Sequence, residues 1–229
     1  MGGFSLTSYT LTVNEHKIKK DMYYKGHLIL TYTIKYPKFV SDKFKLFVTK
    51  LNLFYKAEAS MYRRNQVMKL YQMAMDDYEN SIANDFPVHE YEVYVEFTVT
   101  YNKNCTLSLY FDRYEYTGGA HGMTYRTSDT WDLQKGTRME LRDFFPDKEN
   151  YMESIQQDII NMIKGERKKD NTMFFEDYAD LVKENFNAKN FYLSNEGVVI
   201  YFQLYEIAPY VSGIQTFTIP YSKGAEPSC

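Results

Sequence analysis

The chain has 229 residues, enough to bury a sizeable core in one large domain or two small ones, and a formal charge of −3, which excludes the strong positive field of a nucleic-acid binder. Aromatic residues make up 17% of it and 23 residues are tyrosine, a composition that favours half-buried strand positions and interfaces where a ring is covered while its hydroxyl stays wet. No run approaches the roughly 18 apolar residues of a membrane span. The two cysteines, Cys105 and the terminal Cys229, argue against a structural disulfide framework.

The opening "MGGFSLTSYT" has neither a basic start nor an apolar middle, so no signal peptide is expected there. "HLILTYTIKYP", 27–37, alternates as a strand does, and Pro37 is expected to end it. Residues 41–84 read as helix. Phe44, Phe47, Val48, Leu51 and Tyr55 form one apolar stripe, and the following segment is free of Gly and Pro, giving one long helix or two with a kink near Ser60. Asn84-Asp85-Phe86-Pro87 stops it.

Two alternating runs, 91–102 and 105–116, flank Asn102-Lys103-Asn104 and predict an antiparallel hairpin, with Cys105 placed in the second strand. A third strand spans 123–133, Gly136 closes a turn and "TRMEL" resumes. Tyr151, Ile155, Ile159 and Ile163 make 150–165 an amphipathic helix with Gly165 as its cap, and a shorter helix covers about 174–187. Strands at 190–194, 198–203 and 216–221 finish the chain. Strands and helices are grouped, without repeated alternation. The predicted class is therefore α+β, with antiparallel sheets packed against one long helix in an N-terminal part, 1–95, and against two helices in a C-terminal part, 96–224.

Signatures of chemistry are sparse. His16, His27, His89 and His121 are not paired at helical spacing and no CxxC occurs, so neither a metal site nor a cofactor is expected. No G-x-S-x-G turn announces a serine nucleophile; Ser128 and Ser212 merely lie near glycines. "GGAHG" lacks the Lys-Ser/Thr of a phosphate loop and joins strands instead of opening a helix. Asp112, Glu115, Asp129, Asp132 and Glu206 leave a carboxylate-based hydrolase open, since such enzymes need only two acids at the right separation.

"YTGGAHG" followed by "TWDLQKGTRMELRDFF", then "NFYLSNEGVVIYFQLYEIAPYVSG" and "FTIPY", resembles one family: the extracytoplasmic domain of bacterial anti-sigma-V factors, which act as lysozyme receptors, a domain that also stands before the catalytic domain of certain peptidoglycan deacetylases. The similarity covers about 91–222, and the first 90 residues resemble the companion domain that precedes it. The resemblance implies a non-enzymatic, extracytoplasmic, monomeric binding module of a Gram-positive-type bacterium, whose partner is a lysozyme-like protein or a cell-wall glycan. The alternative is a wall-directed hydrolase or an accessory domain of a deacetylase.

The candidate contact residues are Tyr116, Gly118, Gly119 and His121 in the first loop and Tyr205, Glu206, Pro209 and Tyr210 in the second. The two glycines permit a sharp turn or a close approach. His121 reads either as a contact residue or as a structural histidine that fixes the turn. Pro209 stiffens its loop, and Tyr210 reads either as an interface anchor or as a core ring.

Overall fold

The computed structural model describes residues 10–146, 149–170 and 172–229. Of the opening segment read for a signal peptide, all but Thr10 lies outside the described residues. The class is α+β, with one sheet of six strands in the order β1-β2-β3-β4-β5-β6 and a second of three, β7-β8-β9. By its contacts the chain divides into two units, one holding Leu11–Phe97 and Phe111–Arg126, the other Thr98–Tyr110 and Thr127–Cys229.

The first unit begins with β1 (Thr12–Tyr24) and β2 (His27–Val40), an antiparallel hairpin. Lys25 and Gly26, with φ of 48° and 85°, form the two-residue loop whose twist matches that of the strands. No sequence expectation covers β1, because its burial pattern is mostly exposed and polar residues fill both faces. Pro37 does not end β2. It sits in register opposite Glu15, beyond Ile34↔Val95, where the described pairing of β2 with β3 stops, so its missing N–H breaks no bond on that side.

The chain then forms a helical rod: α1 (Lys45–Tyr62), a π turn (Arg63–Val67) and α2 (Met68–Asn84). Val48, Leu51, Tyr55 and Ala59, then Val67, Leu70, Ala74 and Tyr78, are its buried stripe. The irregularity is the π turn, which begins three residues beyond Ser60, and the Ser60 hydroxyl donates back to the Lys56 carbonyl (2.8 Å), a bond that tends to bend a helix. Asp85, left-handed at φ 55°, ends the rod. The rod returns the chain so that β3 (Tyr91–Lys103) runs parallel to β2, a departure from the antiparallel expectation that follows from a helical crossover.

In the second unit, Asn104 (φ 50°) and Cys105 (φ 54°) form a two-residue turn between β3 and β4 (Thr106–Tyr116). Cys105 is therefore a turn residue, not a strand residue, and it is bonded to Cys229 across 124 residues with the Cα atoms 5.1 Å apart. The expectation of no structural disulfide is corrected here. The tail is led back to the turn by two bonds, Ala225 N–H to the Phe144 carbonyl (2.8 Å) and Asn104 Nδ2 to the Pro227 carbonyl (3.1 Å).

β5 (Met123–Asp132) turns through Gly136 (φ 67°) into the short β6 (Thr137–Arg138), with Asp132 Oδ1 accepting the N–H groups of Gln134 and Lys135, both at 2.9 Å. α3 (Tyr151–Arg167) runs through Gly165 to a C-cap at Lys168, so the expected cap is three residues early, and α4 covers Tyr178–Asn185. β7 (Phe191–Leu193), β8 (Gly197–Phe202) and β9 (Gln215–Pro220) form the small sheet. Ile155, Ile159 and Ile163 of α3 and Val182 of α4 share a core with Leu193, Val198, Ile200, Phe202, Phe217 and Ile219. Burying each such side chain is worth about 1.5–3 kcal/mol. Ser108 Oγ lies 2.8 Å from Thr130 Oγ1 and accepts the Leu193 N–H at 2.9 Å, a fully buried polar link from β4 and β5 to β7.

Candidate functional site

The loop of 116–125 belongs to the first unit and is tied to itself. Gly118 (φ 90°) and Gly119 (φ 92°) occupy the backbone region that side chains resist, and the Tyr116 hydroxyl donates to the Gly119 carbonyl (3.1 Å). Gly122 is buried, and a Cβ there would meet the Tyr114 ring at 2.5 Å and the Glu115 carbonyl oxygen at 2.7 Å. His121 is exposed, with Nδ1 3.1 Å from the Gly122 carbonyl, so the ring is fastened to the turn and also open to solvent. Met123 and Tyr125, beyond the glycines, are exposed as well.

The loop of 205–213 belongs to the second unit and presents a different surface. Tyr205, at φ 67°, is 48% exposed, and its ring lies 5.7 Å from that of Tyr210. Pro209 leads into a one-turn 3₁₀ helix, Tyr210–Ser212, on which Val211 is 90% exposed. The base is stapled: Asn185 Nδ2 donates to the Glu206 carbonyl (3.0 Å), Phe175 N–H to the Ile207 carbonyl (3.2 Å) and Ser212 Oγ to the Met173 carbonyl (2.9 Å). The Glu206 side chain points back, accepting the Gln203 N–H (2.6 Å). Burial raises its pKa above the usual carboxylate value, and that bond offsets part of the rise. Glu206 thus shapes the loop, while Tyr205, Tyr210 and Val211 face outward or half outward.

The remaining acids already have donors. Arg126 clamps Asp112 through both oxygens (2.7 and 2.6 Å). Glu115 accepts the Tyr62 hydroxyl (2.5 Å) and Gln66 Nε2 (2.9 Å), and burial, followed by that carboxylate, pushes the Tyr62 pKa far up. Asp129 pairs with Arg138 (3.0 Å), and Asp132 with Lys135 (3.2 Å).

Sequence reasoning missed a cleft in the second unit. About 430 Å³ in volume, it is walled by Ser128, Asp129, Arg138, Glu140, Tyr151 and Phe191, among others. The motif "TWDLQKGTRMEL" builds one wall: it folds into the β5–β6 hairpin with Trp131 paired to Arg138, whose guanidinium lies over the indole at 5.0 Å. Also lining the cleft, Arg142 lies over the Tyr151 ring at 5.2 Å. Glu140 is held by the turn it caps, where its N–H donates to Asp143 Oδ2 (2.8 Å). The signal available in the sequence was the alternation of charged residues with Trp131, Met139 and Leu141 in that motif. Among the described residues, no group of three or more His, Cys, Asp or Glu is placed to hold a metal ion, and no helix is long and apolar enough to cross a membrane.

With this geometry in hand, comparison with known proteins gives two partial family matches. A family described as "Deacetylase PdaC" matches residues 25–124, and one described as "Protein of unknown function (DUF3298)" matches 142–222. Together they link the chain to deacetylase-associated domains. The peptidoglycan-N-acetylmuramic acid deacetylase PdaC of Bacillus subtilis (strain 168) is 22% identical over 215 residues, which cover 89% of this chain and 42% of that protein. The chain thus spans less than half the length of this curated relative. Two crystal structures of DUF3298 family members share the fold. The one from Bacteroides fragilis has a TM-score of 0.71 at 21% identity, covering 95% of this chain and 94% of that one. The one from Pseudomonas aeruginosa has a TM-score of 0.59 at 18% identity, covering 94% and 95%.

Proposed function

We propose that this chain is a non-catalytic, monomeric, extracytoplasmic binding module that works at the bacterial cell wall, and that its ligand is a wall glycan held in the cleft beside the β5–β6 hairpin. The observation that carries the reading is the cleft itself. Fixed polar groups (Asp129 with Arg138, capped Glu140, Arg142) surround half-buried aromatic surface, the arrangement that orients a polar ligand with apolar faces. The likeness to a peptidoglycan deacetylase supports the choice of a glycan and a role as a companion to such an enzyme. The Cys105–Cys229 bond suits an oxidising compartment outside the cytoplasm.

A second reading has its own observation. Tyr205, Tyr210 and Val211 form an apolar tip on a stapled base, which fits an anchor for a lysozyme-like protein. The carboxylate-hydrolase reading has less support, since Asp112, Glu115, Asp129, Asp132 and Glu206 each already accept a hydrogen bond or ion pair.

Calorimetric titration with a soluble peptidoglycan oligosaccharide and, separately, with lysozyme tests both readings. The oligosaccharide should bind, Arg138→Ala should weaken it about tenfold, and Val211→Asp should leave it unchanged. Binding of lysozyme alone, abolished by Val211→Asp, would transfer the function to the tip. Silence of both at high micromolar concentration would reject the binding module.

A further inference from the structure

The first unit has a feature that the glycan reading does not use. β1, β2 and the helical rod border a second pocket, open to solvent and of about 210 Å³, lined by Lys20, Met22, Tyr32, Arg63, Arg64 and Met68. Three cations line it, and none of them has a carboxylate partner within ion-pair distance among the described residues. Other exposed cations of this unit do find partners, as Lys25 does with Glu79 (2.5 Å) and Lys35 with Glu15 (3.5 Å).

Tyr32 supplies an independent observation. It is only 5% exposed, yet its hydroxyl has no hydrogen-bond partner among the described residues. No polar side-chain atom among those residues is both fully buried and unpaired, so this oxygen keeps accessible surface, and the space it lines is the cavity. A phenol held in a core strand, its hydroxyl accessible beside a pocket that three cationic residues border, is a donor awaiting an acceptor.

The π turn explains how two neighbouring arginines come to serve one pocket. Tyr62 and Gln66 are both drawn to Glu115, and this clamp fixes the wide turn that contains Arg63 and Arg64. Single π turns are rare and concentrate at functional sites. A lysine on an edge strand has a simpler use, blunting strand addition, and that would explain Lys20 by itself. It does not explain why Arg63 and Arg64 of the helical rod both line the same space.

The geometry points to a binding site for a small organic phosphate: Arg63 and Arg64 take the oxyanion through paired N–H groups, Lys20 and the Tyr32 hydroxyl complete its donors, and Met22 and Met68 cover the carbon portion. Guanidinium groups match phosphate oxygens bidentately, and three cations around one cavity favour an anion of more than one charge. The volume admits a group the size of glycerol phosphate and excludes a glycan chain, so this site is separate from the cleft and its fate does not depend on that of the cleft.

The test is a nuclear magnetic resonance titration with inorganic phosphate and with glycerol 3-phosphate, following the amides of 20–22, 32 and 62–68. Both ligands should shift these amides, with glycerol 3-phosphate binding more tightly. Arg63→Gln combined with Arg64→Gln should weaken both at least about tenfold. These side chains are exposed, so folding should be unaffected, which a thermal melt checks. Tyr32→Phe, which keeps the ring, should weaken both by a smaller factor. Absence of shifts at millimolar phosphate, or unchanged affinity in the arginine double variant, overturns the site. Equal affinity for the two ligands overturns the organic half of the assignment.

Discussion

The two units achieve order by different means. In the second, links far apart in sequence dominate: a disulfide across 124 residues, a tail hydrogen-bonded to the β3–β4 turn, and the buried Ser108–Thr130–Leu193 chain. In the first, a single helical rod lies on β2, and one clamp, Tyr62 and Gln66 on Glu115, fixes its irregular turn. The difference suggests a division of labour: the covalently tied unit holds a preformed cleft, while the helical unit places its charges through local helix geometry.

The largest expected effect comes from removing the covalent tie. Cys229→Ser should cost about 2–4 kcal/mol, because the disulfide closes a long loop in the unfolded chain. Amide exchange should speed up in β7–β9, and an unchanged melt would show that the tie adds nothing to the polar links. Next comes the clamp. Tyr62→Phe removes a bond to a carboxylate and should cost about 1.5–3 kcal/mol near neutral pH. Tyr62 also has a raised pKa, so it binds its proton in the folded state where the unfolded phenol, near pH 10, has lost it. Stability from this group is thus present below about pH 10 and is lost as pH rises beyond it. The Phe variant should show less alkaline destabilisation, to be read from denaturant melts across that range.

Much of the fold was legible in the sequence because it is periodic. The 41–84 helix stripe, the start of β3 and the 150–165 helix each bury one face, and burial writes itself into spacing. What failed was non-local. β1 is an exposed edge strand with no apolar alternation to read. The parallel pairing of β2 with β3 depends on where the helix returns, and the disulfide on where the tail returns. Cys105 looked like a strand residue because its left-handed turn position is unusual for a residue other than Gly, Asn or Asp. The glycine loop of 116–122 and the Tyr205–Gly213 tip were recognisable as turns. That the cleft lies in neither of them, but beside the β5–β6 hairpin, depended on side chains converging from α3 and residues 188–191.

Smaller effects sharpen the contrast between the two loops. Gly122→Ala drives a Cβ into the Tyr114 ring and the Glu115 carbonyl and should cost about 1–3 kcal/mol, since the backbone on one side cannot yield freely. Tyr205→Gly should instead gain up to about 1 kcal/mol by relieving a left-handed backbone, provided the loss of the ring contact with Tyr210 is smaller. A stabilised Tyr205→Gly variant that has lost a partner would show that strain is kept at the tip for binding. The smallest effect is at Glu206. Its folded pKa is raised by burial, so the folded state holds the proton longer and stability falls as pH climbs through the range just above the ordinary carboxylate value. Glu206→Gln should flatten that fall by no more than about 1.4 kcal/mol per pH unit.

The central claim, that the cleft beside the β5–β6 hairpin receives a wall glycan, is tested most directly by mapping amide shifts while a soluble peptidoglycan oligosaccharide is titrated into the chain. The account predicts saturable shifts confined to residues 128–142, the start of α3 and 188–191. Shifts elsewhere with that cleft silent, or no shifts at all, would contradict it.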